Sequence, residues 1–153
     1  MANENKITLN FYTITSNFND ILIKLCNKII HLDESFYINF DKSDYKNEAD
    51  KFLWTREKNN FLPHKVYGEE ISSIDKIILF DGCYNKLNRL ERFKSLIVSP
   101  GVKIKKFDVF KKFLIFSYSK NNLFNTNIRN QLDRNYFKIN WYDEYSSFKW
   151  KQL

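Results

Sequence analysis

The chain has 153 residues, a formal net charge of +7, and 15 Phe, 9 Tyr and 3 Trp against only 3 Gly and 2 Pro. That length suits one domain around one buried core, and so much Phe, Ile and Leu with so little Gly and Pro excludes a disordered or fibrous chain. The charge points to a polyanionic partner, although part of it belongs to a Lys- and Asn-rich, Ala-poor composition of the kind an AT-rich genome produces.

Residues Lys6–Ile14 place Ile7, Leu9, Phe11 and Thr13 in alternation with Thr8, Asn10 and Tyr12, which predicts a strand. Ser16 or Asn17 can cap the helix that follows, on which Phe18, Ile21, Leu22, Leu25, Cys26, Ile29 and Ile30 recur at helical spacing. Ser35–Phe40 reads as a short apolar strand. Ser43 or Asp44 opens a second helix with Tyr45, Ala49, Phe52 and Leu53 on its inner face. Pro63 disfavours helix at Leu62, so Thr55–Tyr67 is expected to be an ordered loop. Lys76–Phe80 and Lys94–Val98 are apolar enough to be strands buried on both faces, and Phe113–Tyr118 is another strand. A last helix is expected from about Leu123 to Trp141, with Phe124, Ile128, Leu132, Tyr136 and Ile139 inward, then a final strand from Tyr145 to Trp150.

Alternating strands and helices imply an α/β fold. The expectation is a single three-layer domain over residues 1–153, with a mainly parallel (mixed) central sheet and helices on both faces. It is Rossmann-like without a nucleotide motif: Gly68, Gly82 and Gly101 are the only glycines and form neither GxGxxG nor a Walker loop, and a phosphate cradle needs glycine for close backbone approach.

Catalytic and metal signatures are equally scarce. Cys26 and Cys83 stand alone, so neither a disulfide framework nor a zinc pair is expected. His31 reads as a residue near the end of the first helix, where the dipole favours it, and no Ser/His/Asp or Cys/His set stands out. Asp41, Asp44, Glu48 and Asp50 resemble a magnesium site in composition, but a solvated helix N-terminus is the simpler account. No cofactor and no metal are expected. No apolar run approaches the roughly 18 residues needed to span a bilayer, and Met1–Lys6 lacks signal-peptide character, so the expected location is cytoplasmic.

One block carries more information: Leu53-Trp54-Thr55 followed by Phe61-Leu62-Pro63-His64. It resembles the chi subunit family of bacterial DNA polymerase III, in which the second helix ends in Leu-Trp and an aromatic-aliphatic-Pro-His group follows a short polar gap. Phe11-Tyr12 at the end of the first strand, Leu25-Cys26, Arg134-Asn135-Tyr136-Phe137-Lys138 and the closing Trp150-Lys151 extend the resemblance over nearly the whole chain. Three features depart from the family pattern. Tyr67-Gly68-Glu69-Glu70-Ile71-Ser72-Ser73 replaces a glycine-rich segment, Asp143-Glu144 stands near where a glycine follows the last helix, and Asn130 replaces a basic residue.

The resemblance implies a non-catalytic accessory subunit of the polymerase III holoenzyme with two protein-binding surfaces. One would bind the acidic, Phe-terminated C-terminal tail of single-stranded DNA-binding protein, through Arg134 and Lys138 sharing a helix face, with Asn130 extending the stripe and Trp141 beyond it. DNA would then be reached only through that protein. The other surface would dock the psi subunit, or an equivalent, linking chi to the clamp loader. Trp54, Phe61, Leu62 and Pro63 are its candidate anchors, and His64 is expected to brace the loop. A different function is a direct single-stranded nucleic-acid binder using Lys103, Lys105, Lys106, Lys111 and Lys112, which interleave with Phe107 and Phe110; the plainer account is a basic turn of helix. A small α/β enzyme with scattered residues is the third possibility.

Overall fold

The computed structural model describes residues 6–55, 63–82, 87, 89–104, 107, 109–118 and 136–153. In chain order its elements are β1 (Ile7–Thr13), α1 (Phe18–Ile29), β2 (Ser35–Phe40), α2 (Ser43–Thr55), β3 (Lys65–Val66), β4 (Ile77–Asp81), β5 (Phe93–Val98), β6 (Lys112–Ser117), β7 (Phe137–Ser146) and β8 (Lys149–Gln152). They form one eight-stranded sheet in the order β3-β4-β2-β5-β6-β1-β7-β8. Every neighbouring pair is parallel except β7 and β8, so the α/β, mainly parallel mixed sheet is as expected.

Side chains alternate across this sheet with the two-residue strand period. On one face Phe36, Ile38, Phe40, Ile77, Leu79, Ile97, Leu114 and Phe116 meet α1 and α2. On the other, Leu9, Phe11, Tyr37, Ile78, Phe80, Leu96, Val98, Phe113 and Ile115 form a second core layer. Among the described residues that layer is covered by loop residues such as Val102, Phe107 and Phe110. Both described helices therefore lie on the first face.

α1 has local reasons to form. Asn17 caps it, its Oδ1 accepting from Asn19 N at 2.9 Å. Asp20 in the first turn and Lys28 in the last both suit the helix dipole. Phe18, Ile21, Leu22, Cys26 and Ile29 are buried at helical spacing. α2 is anchored by buried Ala49 and Leu53 and by an ion pair from Lys46 to Asp81 of β4 at 2.7 Å. Tyr45, expected on its inner face, is instead 51 % exposed: in the helix's opening turn it lines a cleft with Phe40 and Tyr118 rather than packing beneath the helix.

The chain's last part differs from expectation. The predicted helix over Leu123–Trp141 is contradicted from Phe137 onward, where β7 runs beside β1; positions 123–135 lie outside the described residues. Phe137, Ile139 and Trp141 pack into the second core layer while Lys138 and Asn140 alternate with them. The predicted strand Tyr145–Trp150 is two strands: β7 ends at Ser146, Ser147 and Phe148 turn, and β8 returns antiparallel. Phe148 takes φ 62, uncommon for a bulky residue; its ring receives Lys24 Nζ at 4.7 Å and its N–H donates to Glu144.

Candidate functional site

α2 delivers Asp50 and Trp54 to one helix face, four residues apart. The chain re-enters at Pro63 and His64, and His64 Nε2 lies 2.6 Å from Asp50 Oδ1. The same oxygen accepts the Trp54 indole N–H at 3.1 Å, and the Trp54 and His64 rings stand 5.3 Å apart. His64 is buried, Pro63 is exposed and Trp54 is 52 % exposed. The arrangement presents a half-exposed indole whose rotamer is fixed from behind by a carboxylate and an imidazole. His64 is buried and faces Asp50. Trp54 is in the last turn of the helix, which buried Leu53 and Ala49 keep docked to its end. Phe61 and Leu62 lie outside the described residues. Asp50 had been absorbed into an acidic helix start; its spacing to Trp54 was the available signal.

Two of the residues expected to grip an acidic tail, Lys138 and Trp141, lie on a strand. Lys138 is exposed on β7, opposite Thr8 of β1, so it does not share a helix face with Arg134. Trp141 stacks on Phe11, with centroids 4.3 Å apart and planes 14° from parallel, partly buried against the second core layer. That is a packing role, set by the strand period that turns 137, 139 and 141 inward. Arg134 and Asn130 lie outside the described residues.

The lysine-rich segment separates charge from aromatics. Lys103 and Lys111 are exposed. Lys112 lies on β6, 3.7 Å from Glu34 and near the Phe36 ring. Phe110 is buried, and Phe107 packs against Phe113 and Phe137. Lys105 and Lys106 lie outside the described residues. The expected turn of helix is absent among the described residues of this segment.

In doubly wound sheets the first strand-to-helix turn holds phosphate on free backbone N–H groups. Here those groups are taken. Glu144 of β7 reaches the turn, and its Oε1 accepts from Thr15 N at 2.7 Å and Ser16 N at 2.8 Å. Its Oε2 accepts from the Ser16 hydroxyl at 2.6 Å and Phe148 N at 2.8 Å. Phe18 N donates to the Tyr118 hydroxyl at 2.8 Å. Burial alone would raise the Glu144 pKa, but these hydrogen bonds outweigh it and lower the value to about 2. The chain thus carries its own anion at this turn. Nothing near either end in sequence signalled it.

Among the described residues no group of three His, Cys, Asp or Glu side chains is placed to hold a metal ion. Cys26 is fully buried in α1, and burial pushes its thiol up to about 12, outside the range of a reactive thiolate. Cys83 lies outside the described residues. No helix among the described residues is long and apolar enough to cross a membrane.

Two comparisons with known proteins bear on the chain. The model of the family "DNA polymerase III chi subunit, HolC" matches residues 7–130, from β1 past the end of β6. No curated protein matches the chain.

Proposed function

Because the chain belongs to the DNA polymerase III chi subunit family, we propose that it is a non-catalytic adaptor of the replicative polymerase, linking the clamp loader, through psi or an equivalent, to single-stranded DNA-binding protein. The observation that carries the docking half is the Trp54 platform. A half-exposed indole held by Asp50 and His64, beside exposed Pro63, is a pre-ordered aromatic anchor. Such anchors dominate interface energetics because little rotamer entropy is lost on binding. Phe61 and Leu62, between Trp54 and Pro63 in sequence, complete the proposed psi surface.

The second half is binding of the acidic, Phe-terminated tail. Lys138 supplies an exposed cation, and Arg134 and Asn130 join it in the proposal. Trp141 is retained only as the support beneath this end of β7, since it stacks on Phe11. The deciding experiment is a titration of the full chain with a peptide copying that tail. Binding that is lost on Arg134→Ala, and on removing the terminal Phe, supports the adaptor. No binding to the peptide, together with salt-sensitive binding of oligo-dT, rejects it. The nucleic-acid reading itself is weakened by geometry: base stacking needs exposed rings, and Phe107 and Phe110 face the core.

A further inference from the structure

We infer that the cleft at the carboxyl ends of β2 and β5 is a separate binding site for a ligand with a guanidinium or ammonium head. β2 sends the chain through α2 toward β3 and β4, whereas β5 sends it the opposite way, to β6. Where neighbouring parallel strands part company like this, their loops diverge and open a crevice in which ligands bind. The structure has a cleft of about 730 Å³ at this point, within the range of about 300–1,000 Å³ typical of small-molecule sites.

The lining chemistry selects the ligand. Phe18 and Phe40 form an apolar base, and half-exposed Tyr45 and Tyr118 flank them. Among the described lining residues Asp41 and Glu48 contribute two carboxylates against one lysine, Lys103, on a chain of net charge +7, and Lys42 Nζ stands 6.0 Å from the Tyr45 ring. Carboxylates beside tyrosine rings suit a cation on an apolar stem. Phosphate is disfavoured, because the neighbouring β1–α1 turn already spends its N–H groups on Glu144, Asn17 and Tyr118.

A second observation points the same way. Ser99 is only 4 % exposed and lines the cleft. Its backbone N–H donates to Asn39 O at 3.0 Å, and the Asn39 amide on the same seam is fully buried with neither Oδ1 nor Nδ2 bonded. Buried polar groups normally find partners. An amide without one, beside a backbone hydrogen bond to Ser99 at the switch between β2 and β5, marks a seam not built for packing alone. Ser99 is the member that faces the cleft.

The head group could belong to a free amine or to a protein side chain, and two probes distinguish them. The full chain is titrated with agmatine and with a blocked Gly-Arg-Gly tripeptide while the backbone amide signals of Tyr45, Ser99 and Gly101 are followed by NMR. At least one probe is expected to saturate, the tighter one identifying the source. Asp41→Asn and Glu48→Gln are each expected to weaken it about tenfold with the melting temperature unchanged. Failure of both probes to saturate by about 10 mM overturns the inference. So does binding that both variants leave intact, or displacement of the probe by adenosine. None of these variants touches the Trp54 platform or Lys138, so tail and psi binding are read separately.

Discussion

Ser16 and Glu144, 128 positions apart, are joined twice: the Ser16 N–H donates to Oε1 at 2.8 Å and its hydroxyl to Oε2 at 2.6 Å. The carboxylate thereby pins the β7–β8 hairpin to the start of α1, and it sits where related folds seat a phosphate. One residue closes the phosphate seat and ties the last two strands to the first helix.

That contact makes stability depend on acid. The folded pKa of Glu144 is about 2 against an ordinary 4.5. A depressed carboxylate stabilises fully above its unfolded pKa and stops doing so as pH falls through the folded one, so the contribution is present above about pH 4.5 and drains toward pH 2. The shift corresponds to roughly 3 kcal/mol. Glu144→Gln presents an N–H₂ to a group of donors and is expected to cost about 2–3 kcal/mol at pH 7. In urea unfolding, the gap between native chain and variant should narrow steadily from pH 5 to pH 2.5. A gap independent of pH would show that the negative charge is not what holds the turn.

Asp50 is expected to matter for partner binding without touching a partner. It accepts from Trp54 at 3.1 Å and pairs with His64 at 2.6 Å. Asp50→Ala removes both contacts, at about 1–2 kcal/mol of stability. The indole then samples several rotamers, so binding of psi should weaken while Trp54 fluorescence anisotropy falls. Trp54→Ala, at a half-exposed position, should abolish docking with little loss of stability. If Trp54→Ala unfolds the chain, the residue is core and the docking assignment is wrong.

Asn39 tests the seam between β2 and β5 energetically. Its amide is buried between Phe80 and Val98 of the flanking strands and makes no hydrogen bond. Asn39→Val, apolar, suited to a strand and nearer to asparagine in volume than leucine, should raise stability by about 1–2 kcal/mol. Chemical denaturation measures it directly. An unchanged or lowered midpoint would mean that the amide has a partner in solution.

The fold was legible where signals are local. Asn17, the Phe18–Ile29 stripe and the apolar runs at Ile77–Phe80 and Leu96–Val98 each declare an element within a few residues. β7 was misread because Tyr136 and Ile139 satisfy a helical three-residue step. The alternation Phe137, Ile139, Trp141, which the structure follows, was the competing signal, and a parallel partner as distant as β1 cannot be read from it. The site divides the same way. Trp54, Pro63 and His64 belong to one short block of sequence, so their nearness is legible locally. Glu144 at Thr15 and Ser16, and Ser99 beside Asn39, depend on strand order, which carries no local mark in the sequence.

The last prediction separates fold from function at β7. Trp141 and Lys138 were expected to act together on the acidic tail, yet the strand period turns them to opposite faces. Trp141 stacks on Phe11 at 4.3 Å and pairs with it in register, so Trp141→Ala should cost about 2–3 kcal/mol, somewhat less than a fully buried aromatic, because the indole is only partly buried. Any weakening of tail binding should then be recovered under conditions that refold the variant. Lys138→Ala leaves packing untouched, so its melting temperature should match the native chain's. Its affinity for the tail peptide should drop several-fold, more at low salt than at high, because an exposed cation acts through a screened field. If Lys138→Ala binds the peptide as tightly as the native chain at low salt, Lys138 is only a solvated edge of β7. The tail site would then have to be sought away from this strand.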